Sequence, residues 1–243
     1  MLKHDWPIPD NVAIAMTNRL GGVSHAPFNS LNLGLHVGDD PQNVLANRAL
    51  LIQQLSLPCE PLWLNQVHGT NVVNIQEIST RNLVIQADGS YSSRFGHVCA
   101  VMTADCLPVL LCNRQGTEVA AVHAGWRGLC DGVIEQALRF FKSPSAELMA
   151  YLGPAIGPNI FEVGIEVRDV FVDKHIEAAQ YFTHVREDKY LADLVGLAKL
   201  RLANAGISHL YSADICTFSD PDYFSYRRDK QTGRLASLIW LKS

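Results

Sequence analysis

The apolar positions of this chain switch repeatedly between the period of a strand and the period of a helix. NVAIAMTNR, residues 11–19, predicts a strand that opens into LGGVSHAPFNSLNLGLHVGDD. That segment is rich in Gly, Asn and Ser, and so long a connector in a compact domain points to a functional loop. In DDPQNVLANRALLIQQLSL the period lengthens to that of a helix. Asp40 suits its N-cap and Pro41 its first turn, while Val44, Leu45, Leu51, Ile52 and Leu55 supply the apolar face. PLWLNQVHGTNVVNI predicts a strand carrying His68, and ADGSYSS a turn-rich connector. HVCAVMTADCLPVLLCN predicts two apolar strands broken at TADC, and TEVAAVHAGWRG a third. LCDGVIEQALRFFKS predicts a helix with Val133, Ala137, Leu138 and Phe141 on one side. AELMAYLGPAIGP gives a further strand and a Gly/Pro loop, and GIEVRDVFVDK a short helix. KYLADLVGLAKLRLANAG predicts an amphipathic helix stopped at Gly206. The remaining segment, from HLYSADIC onward, predicts strands around the turn DKQTG. Strands and helices alternate irregularly, some strands read as hairpins, and no repeat or linker divides them. One α+β domain over residues 1–243, with mixed sheets and packed helices, is the expected architecture.

Charge narrows the partners. The chain carries 20 basic and 24 acidic residues without any block of one sign, so it lacks the footprint of a nucleic-acid or anionic-membrane binder. A small-molecule ligand is expected, with no obligate protein partner visible. MLKHDWPIPDN has no apolar stretch of the secretory kind, and no apolar run approaches the about 18 residues of a spanning helix. A soluble, cytoplasmic protein is expected. Six cysteines are scattered with no C-x-x-C pair, which predicts reduced, small apolar side chains rather than bridges or a zinc ribbon.

Three polar residues stand where predicted strands run out: His68 in NQVHG, Cys106 in TADCLPV and His123 in AVHAGWRG. Strand ends that meet at one sheet edge can bring them together. Two imidazoles and a thiolate make a three-ligand zinc set with the fourth position left for water or substrate, the pattern of a catalytic site. The same residues allow a second chemistry, with Cys106 as nucleophile and His123 as its base. Taken singly, each also fits a core cysteine or a hydrogen-bonded histidine, and spacing alone does not choose. Asp105 adjoins Cys106, but neighbours on a strand face opposite ways, so it is a poor orienter unless the strand breaks there. His36 and Asn32, in the long loop, are candidates to line the site. Arg127 lies four residues after His123 at a helix mouth, and Arg19, Arg227 and Arg228 are further candidate anion contacts. Trp126 reads equally as core packing and as a stacking platform. No phosphate-cradling G-x-x-x-x-G-K-[ST] or dinucleotide-binding G-x-G-x-x-G occurs.

The motifs SLNLG, NQVHG, VMTADCLPVL, AAVHAGWRG, GPAIGP, FEVGIEV and YFSYRRDKQTGR, in this order, resemble the YfiH-like, laccase-domain family over nearly the whole chain. The resemblance implies a fold similar to that shared with cytotoxic-factor deamidases. It implies a zinc held by His68, Cys106 and His123. It also implies a purine nucleoside enzyme: phosphorolysis of adenosine, inosine, guanosine and methylthioadenosine to free base and (methylthio)ribose 1-phosphate, together with adenosine deamination. On that reading Arg127 neutralises phosphate. Family members also carry the labels polyphenol oxidase and peptidoglycan editing factor. The chain's nine histidines contain no His-x-His pair, so a multicopper cluster is not expected and copper would be adventitious. A cysteine or zinc amidohydrolase acting on peptidoglycan precursors is the alternative. A non-enzymatic zinc-binding module is disfavoured by the open ligand set, since structural zinc is closed by four ligands.

Overall fold

VCAVMT and LPVLLCN are buried at every position and become β4 (Val98–Thr103) and β5 (Leu107–Asn113). A strand buried on both faces needs a layer on each side. In β5 the alternation decides which layer each residue meets. Leu107, Val109 and Leu111 pack toward the helices, whereas Leu110 and Cys112 pack toward a second sheet. A computed structural model describes residues 1–78 and 84–242. In chain order the other elements are β1 (Val12–Met16), α1 (Pro41–Leu55), β2 (Val72–Asn74), β3 (Gly89–Ser92), β6 (Val119–Ala124), α2 (Trp126–Asp131), α3 (Val133–Leu138), β7 (Leu148–Leu152), β8 (Glu162–Gly164), α4 (Ile165–Lys174), β9 (Phe182–Arg186), β10 (Lys189–Ala192), α5 (Leu194–Asn204), β11 (His209–Ser212), α6 (Tyr226–Asp229) and β12 (Leu235–Leu241).

The largest sheet has the order β11-β7-β5-β6-β3-β2. Leu129 of α2, Val133, Ile134 and Ala137 of α3, Phe171 of α4 and Leu197 of α5 cover one face of it. The sheet β1-β12-β4 covers the other, through Val12, Met16, Cys99, Val101 and Ile239. On that second sheet's far side, Ala100, Leu238 and Trp240 pack against Leu51 of α1 and against Leu31 and Leu33 of the long loop. The molecule is thus a mixed α+β stack of helix, sheet, sheet and helices. A third small sheet, β8-β10-β9, flanks α4.

Several expected elements differ in the structure. ADGSYSS is no connector: Gly89–Ser92 is a buried strand between β2 and β6. His68 lies on no strand but in a turn, at φ 60°. The helix expected over residues 129–143 begins earlier and is cut in two at Gly132, whose φ of 100° is the left-handed value that glycine adopts freely. KYLA is strand β10, and α5 starts after Asp193, whose carboxylate accepts from the Gly196 amide. DKQTG joins a helix, α6, to β12 rather than two strands. Asp40 and Pro41 begin α1 as expected, but Leu45 faces solvent, and the inner face carries Asn47 and Arg48 beside Val44 and Leu51. Those polar residues stitch the long loop in place. Asn47 accepts from the Val23 amide and donates to Ser24 Oγ and the carbonyls of Ser30 and Asn32; Arg48 donates to the Leu33 carbonyl and stacks 4.1 Å from the Trp63 ring centre. All six cysteines are free thiols. Among the described residues, no helix is long and apolar enough to cross a membrane.

Candidate metal centre

β6 carries the buried His123 one residue before its end, the β4–β5 break presents the half-buried Cys106, and the turn after Asn65 presents the exposed His68. One potential ligand atom from each lies within 4.8 Å of the others. Cys106 Sγ stands 3.7 Å from His68 Nε2, and the two imidazole rings meet edge to face at 4.8 Å between centres. The sulfur belongs to a residue just past Asp105, whose φ of 91° breaks the strand. That break does not turn the Asp105 carboxylate toward Cys106. It accepts from Thr217 Oγ1 and from the Arg227 amide, both at 2.6 Å.

The residue that organises the cluster is Asp88, which sequence reasoning passed over as part of a turn-rich connector. It is fully buried at the head of β3. Its carboxylate accepts the backbone N–H groups of Val67 (3.3 Å), His68 (2.9 Å) and Gly69 (2.8 Å). This convergence of amides on one anion holds the His68 turn in its left-handed conformation. The same carboxylate meets His123 Nδ1 at 2.8 Å. An ionised carboxylate only accepts, so Nδ1 carries the proton and Nε2 is left for the cluster. One side chain therefore orients two of the three ligands, the outer partner that metal-bound imidazoles need. Burial would raise the Asp88 carboxyl, but the bonds from His123 and from the Gly69 and Val67 amides outweigh it and hold it low. Burial would likewise raise the Cys106 thiol. The contacts with both histidines and the charge of His123, whose own pKa rises to about 9 because the thiolate and Asp88 outweigh its burial, reverse that and favour thiolate; a bound metal would take the place of the second His123 proton, on Nε2.

Gly125, the N-cap of α2, forms the floor. A Cβ there would lie 2.9 Å from His68 Cδ2 and 3.2 Å from Cys106 Sγ, so a side chain would intrude on the ligands. The donor set and its open side at His68 fit a zinc ion with a free coordination position. Asp88→Asn is expected to weaken binding of a metal ion, tested with zinc, by about 10- to 100-fold, because an amide presents N–H where an acceptor is needed. Competition with a chromogenic chelator measures this, and unchanged affinity would remove Asp88 from the centre.

The remaining candidates fall into distinct positions. Arg127 is exposed, with its guanidinium 4.3 Å from the ring centre of Trp126, which packs against the helical core. Arg19 donates to the Asn29 carbonyl and lies 4.7 Å over the Phe224 ring. Arg227 directs its guanidinium at the Glu162 carbonyl. Arg228 is a strut: it donates to the carbonyls of Thr217, Phe218, Asp220 and Tyr223 and to Asp229. Asn32 is fully buried; its side chain bonds the Gly34 and Arg234 amides and Asp39. His36 is exposed beside Arg234 and Arg48; partial burial and then those two charges hold its pKa down.

Known proteins resemble this chain over its whole length. A Shigella flexneri protein named purine nucleoside phosphorylase YfiH is 52% identical over 242 residues, covering 99% of this chain and 98% of that protein. A purine nucleoside phosphorylase of Pseudomonas aeruginosa is 49% identical, with 99% and 98% covered. Among solved structures, a Neisseria meningitidis protein superposes with a TM-score of 0.94 at 50% identity, covering 98% of each chain. YlmD from Geobacillus stearothermophilus gives 0.88 at 30%, covering 96% of this chain and 93% of its own. Residues 13–242 match the family described as multi-copper polyphenol oxidoreductase laccase, and the chain belongs to that family.

Proposed function

We propose that the protein is a zinc-dependent purine nucleoside phosphorylase of the cytoplasm, acting on adenosine, inosine, guanosine and methylthioadenosine, and that it also deaminates adenosine. The observation that carries the reading is the convergence of His68, Cys106 and His123 on one open point, backed by Asp88. The names of relatives about half identical to this chain support the reaction class. Zinc, when bound there, supplies Lewis acidity at an open position.

The chain's own groups do the rest. Asp88 keeps the His123 proton on Nδ1 and holds the His68 turn rigid, so the donors are oriented before any ligand arrives. In phosphorolysis a phosphate oxygen bonds to the anomeric carbon while the glycosidic bond breaks, its electron pair passing to the purine nitrogen. Both ends of that exchange are anionic and need fixed cations nearby. Arg127, at the mouth of α2 and without a carbonyl partner among the described residues, is one candidate. The nucleoside and phosphate are small molecules, and the reading needs no protein, nucleic-acid or membrane partner.

The family's copper label fits the donors less well. Two imidazoles and a thiolate suit at most a single blue copper, and a multicopper cluster needs more imidazoles than the group formed here. The Cys106–His123–Asp88 series itself favours one second reading, an amidohydrolase with Cys106 as nucleophile and His123 as base, acting on peptidoglycan precursors. Zinc-loaded protein given inosine and inorganic phosphate is expected to release hypoxanthine and ribose 1-phosphate, and a chelator should stop it. Chromatography showing neither product, and no inosine from adenosine, would leave the amidohydrolase reading in its place.

A further inference from the structure

We infer that Arg234, with His36 beside it, forms the anion subsite that holds inorganic phosphate next to the His68–Cys106–His123 centre. The inference rests on the phosphorolysis reading and gives its second substrate a place.

Arg234 follows the DKQTG turn and immediately precedes β12. Two hydrogen bonds register its backbone against the long loop: its amide donates to Asn32 Oδ1 at 2.9 Å, and its carbonyl accepts from the Leu33 amide at 3.2 Å. Gly34 lies between the two proposed ligands. A Cβ there would sit 2.8 Å from Arg234 Cγ and 3.4 Å from His36 Cε1, so the arginine stem and the imidazole flank the same glycine. The loop that looked long for a connector thus delivers His36 to Arg234. Leu235, the next residue, pairs with Thr103, the last residue of β4, which sets Arg234 beside the break that carries Asp105 and Cys106.

The guanidinium is held but not consumed. Nη1 donates to the carbonyls of Thr232 (2.9 Å) and Gly233 (3.0 Å), which fixes its plane. Nε and Nη2 have no partner among the described residues, and no carboxylate forms an ion pair with Arg234. The nearby acid, Asp105, is already engaged by Thr217 and the Arg227 amide. A half-buried guanidinium with two adjacent free donors matches two oxygens of a phosphate. The other arginines considered for anion contact differ from it. Arg228 and Arg227 are turned onto carbonyls, Arg19 onto Asn29, and Arg127 is exposed over Trp126. His36 has no hydrogen-bond partner among the described residues, and Arg48 behind it adds a second positive charge.

The test measures phosphate binding and catalysis separately on the zinc-loaded protein. Calorimetric titration with inorganic phosphate alone is expected to show Arg234→Gln weakening binding by about 10- to 100-fold, the range of lost charge-assisted hydrogen bonds. The phosphate KM should rise to a similar extent while the nucleoside KM stays within about two-fold. Arg234→Lys, which keeps the charge without the fork, should fall between the two. Zinc content and melting temperature serve as folding controls. If Arg234→Gln does not fold, His36→Gln at its exposed position should still raise the phosphate KM, by a smaller factor. Arg234-dependent phosphate binding without any ribose 1-phosphate formed would uphold the subsite and overturn the phosphorylase reading. Active enzyme whose phosphate KM is unmoved in Arg234→Gln, or moved instead in Arg127→Gln, would overturn the subsite. So would a loss confined to adenosine 5′-monophosphate, which would assign the arginine to a nucleotide's phosphate.

Discussion

Cys106→Ser is expected to reduce zinc from about one equivalent to a trace in freshly purified protein, and to abolish phosphorolysis with it. The thiolate is the only anionic member of the ligand set. Its environment favours that charge: the neighbouring histidine outweighs the cost of burial. A serine hydroxyl does not ionise near neutral pH, so two neutral imidazoles would be left to hold the ion. Removing an outer partner of a ligand costs about 10- to 100-fold in metal affinity, and removing the ligand itself should exceed that. The fold should survive. Cys106 sits half-buried at a strand break whose geometry is fixed by Asp105, Thr217 and the Arg227 amide rather than by its own sulfur. The measurement is metal analysis together with thermal denaturation. A variant that folds, keeps full zinc and loses activity would point to Cys106 as a nucleophile and against the ligand assignment.

The layers that build this site were legible where burial follows hydrophobicity. β4, β5 and β6 and the break at TADC could be read because each strand is apolar at every position but one. α1 could be read because Asp40 and Pro41 are local signals at a helix start. β3 was hidden because its residues are glycine, serine and tyrosine. It is a strand because β2 and β6 pair with it on either side, and no local pattern reports that. The His68 turn was hidden for a similar reason: the anion that stabilises it, Asp88, lies 20 residues away in sequence. The three metal-ligand candidates could be picked out as polar residues where apolar strands run out, but the order of long motifs, not their spacing, chose the metal reading over a nucleophile–base pair or core residues. The arginines were ranked without knowing their carbonyl partners, so Arg228 stood beside Arg127 although its guanidinium is filled by the chain itself. Arg234 was overlooked because its value depends on what does not bond to it.

Glu118→Ala is expected to give the largest loss of stability away from the centre. Glu118 is 5% exposed, at the β5–β6 hairpin. Its carboxylate accepts from Tyr91 Oη (2.7 Å), Ser143 Oγ (2.6 Å), Asn113 Nδ2 (3.3 Å) and the amides of Lys142 (2.7 Å) and Ser143 (3.1 Å). It therefore ties β3, the hairpin and the chain leaving α3 into one point, while the Tyr91 ring packs on Phe140 and Phe141. Asn113 Nδ2 keeps Thr117 Oγ1 and Ser143 Oγ as acceptors, but alanine would take from the Tyr91 and Ser143 hydroxyls and the Lys142 and Ser143 amides the carboxylate they bond in a buried place. Removing one partner of such a network costs about 3–5 kcal/mol, and the individual bonds do not simply add. For a chain of this size that lowers the melting temperature by roughly 6–20 °C. Burial pushes the Glu118 carboxyl up, but the Ser143, Lys142 and Tyr91 bonds prevail and bring it below the ordinary 4.5. A group lowered in the folded state stabilises fully above its unfolded pKa, and loses that contribution as pH falls below about 4.5 toward the folded value. Wild-type protein should thus lose stability over that acid interval more steeply than Glu118→Gln, which has no proton to take up. His123 lies at the other end of β6, five residues on and about 16 Å away along the strand. At a temperature where Glu118→Ala remains folded, its zinc content should match wild type. Zinc loss in the folded variant would show that the hairpin and the centre are coupled through β6, and an unchanged melting curve would show that water replaces the carboxylate.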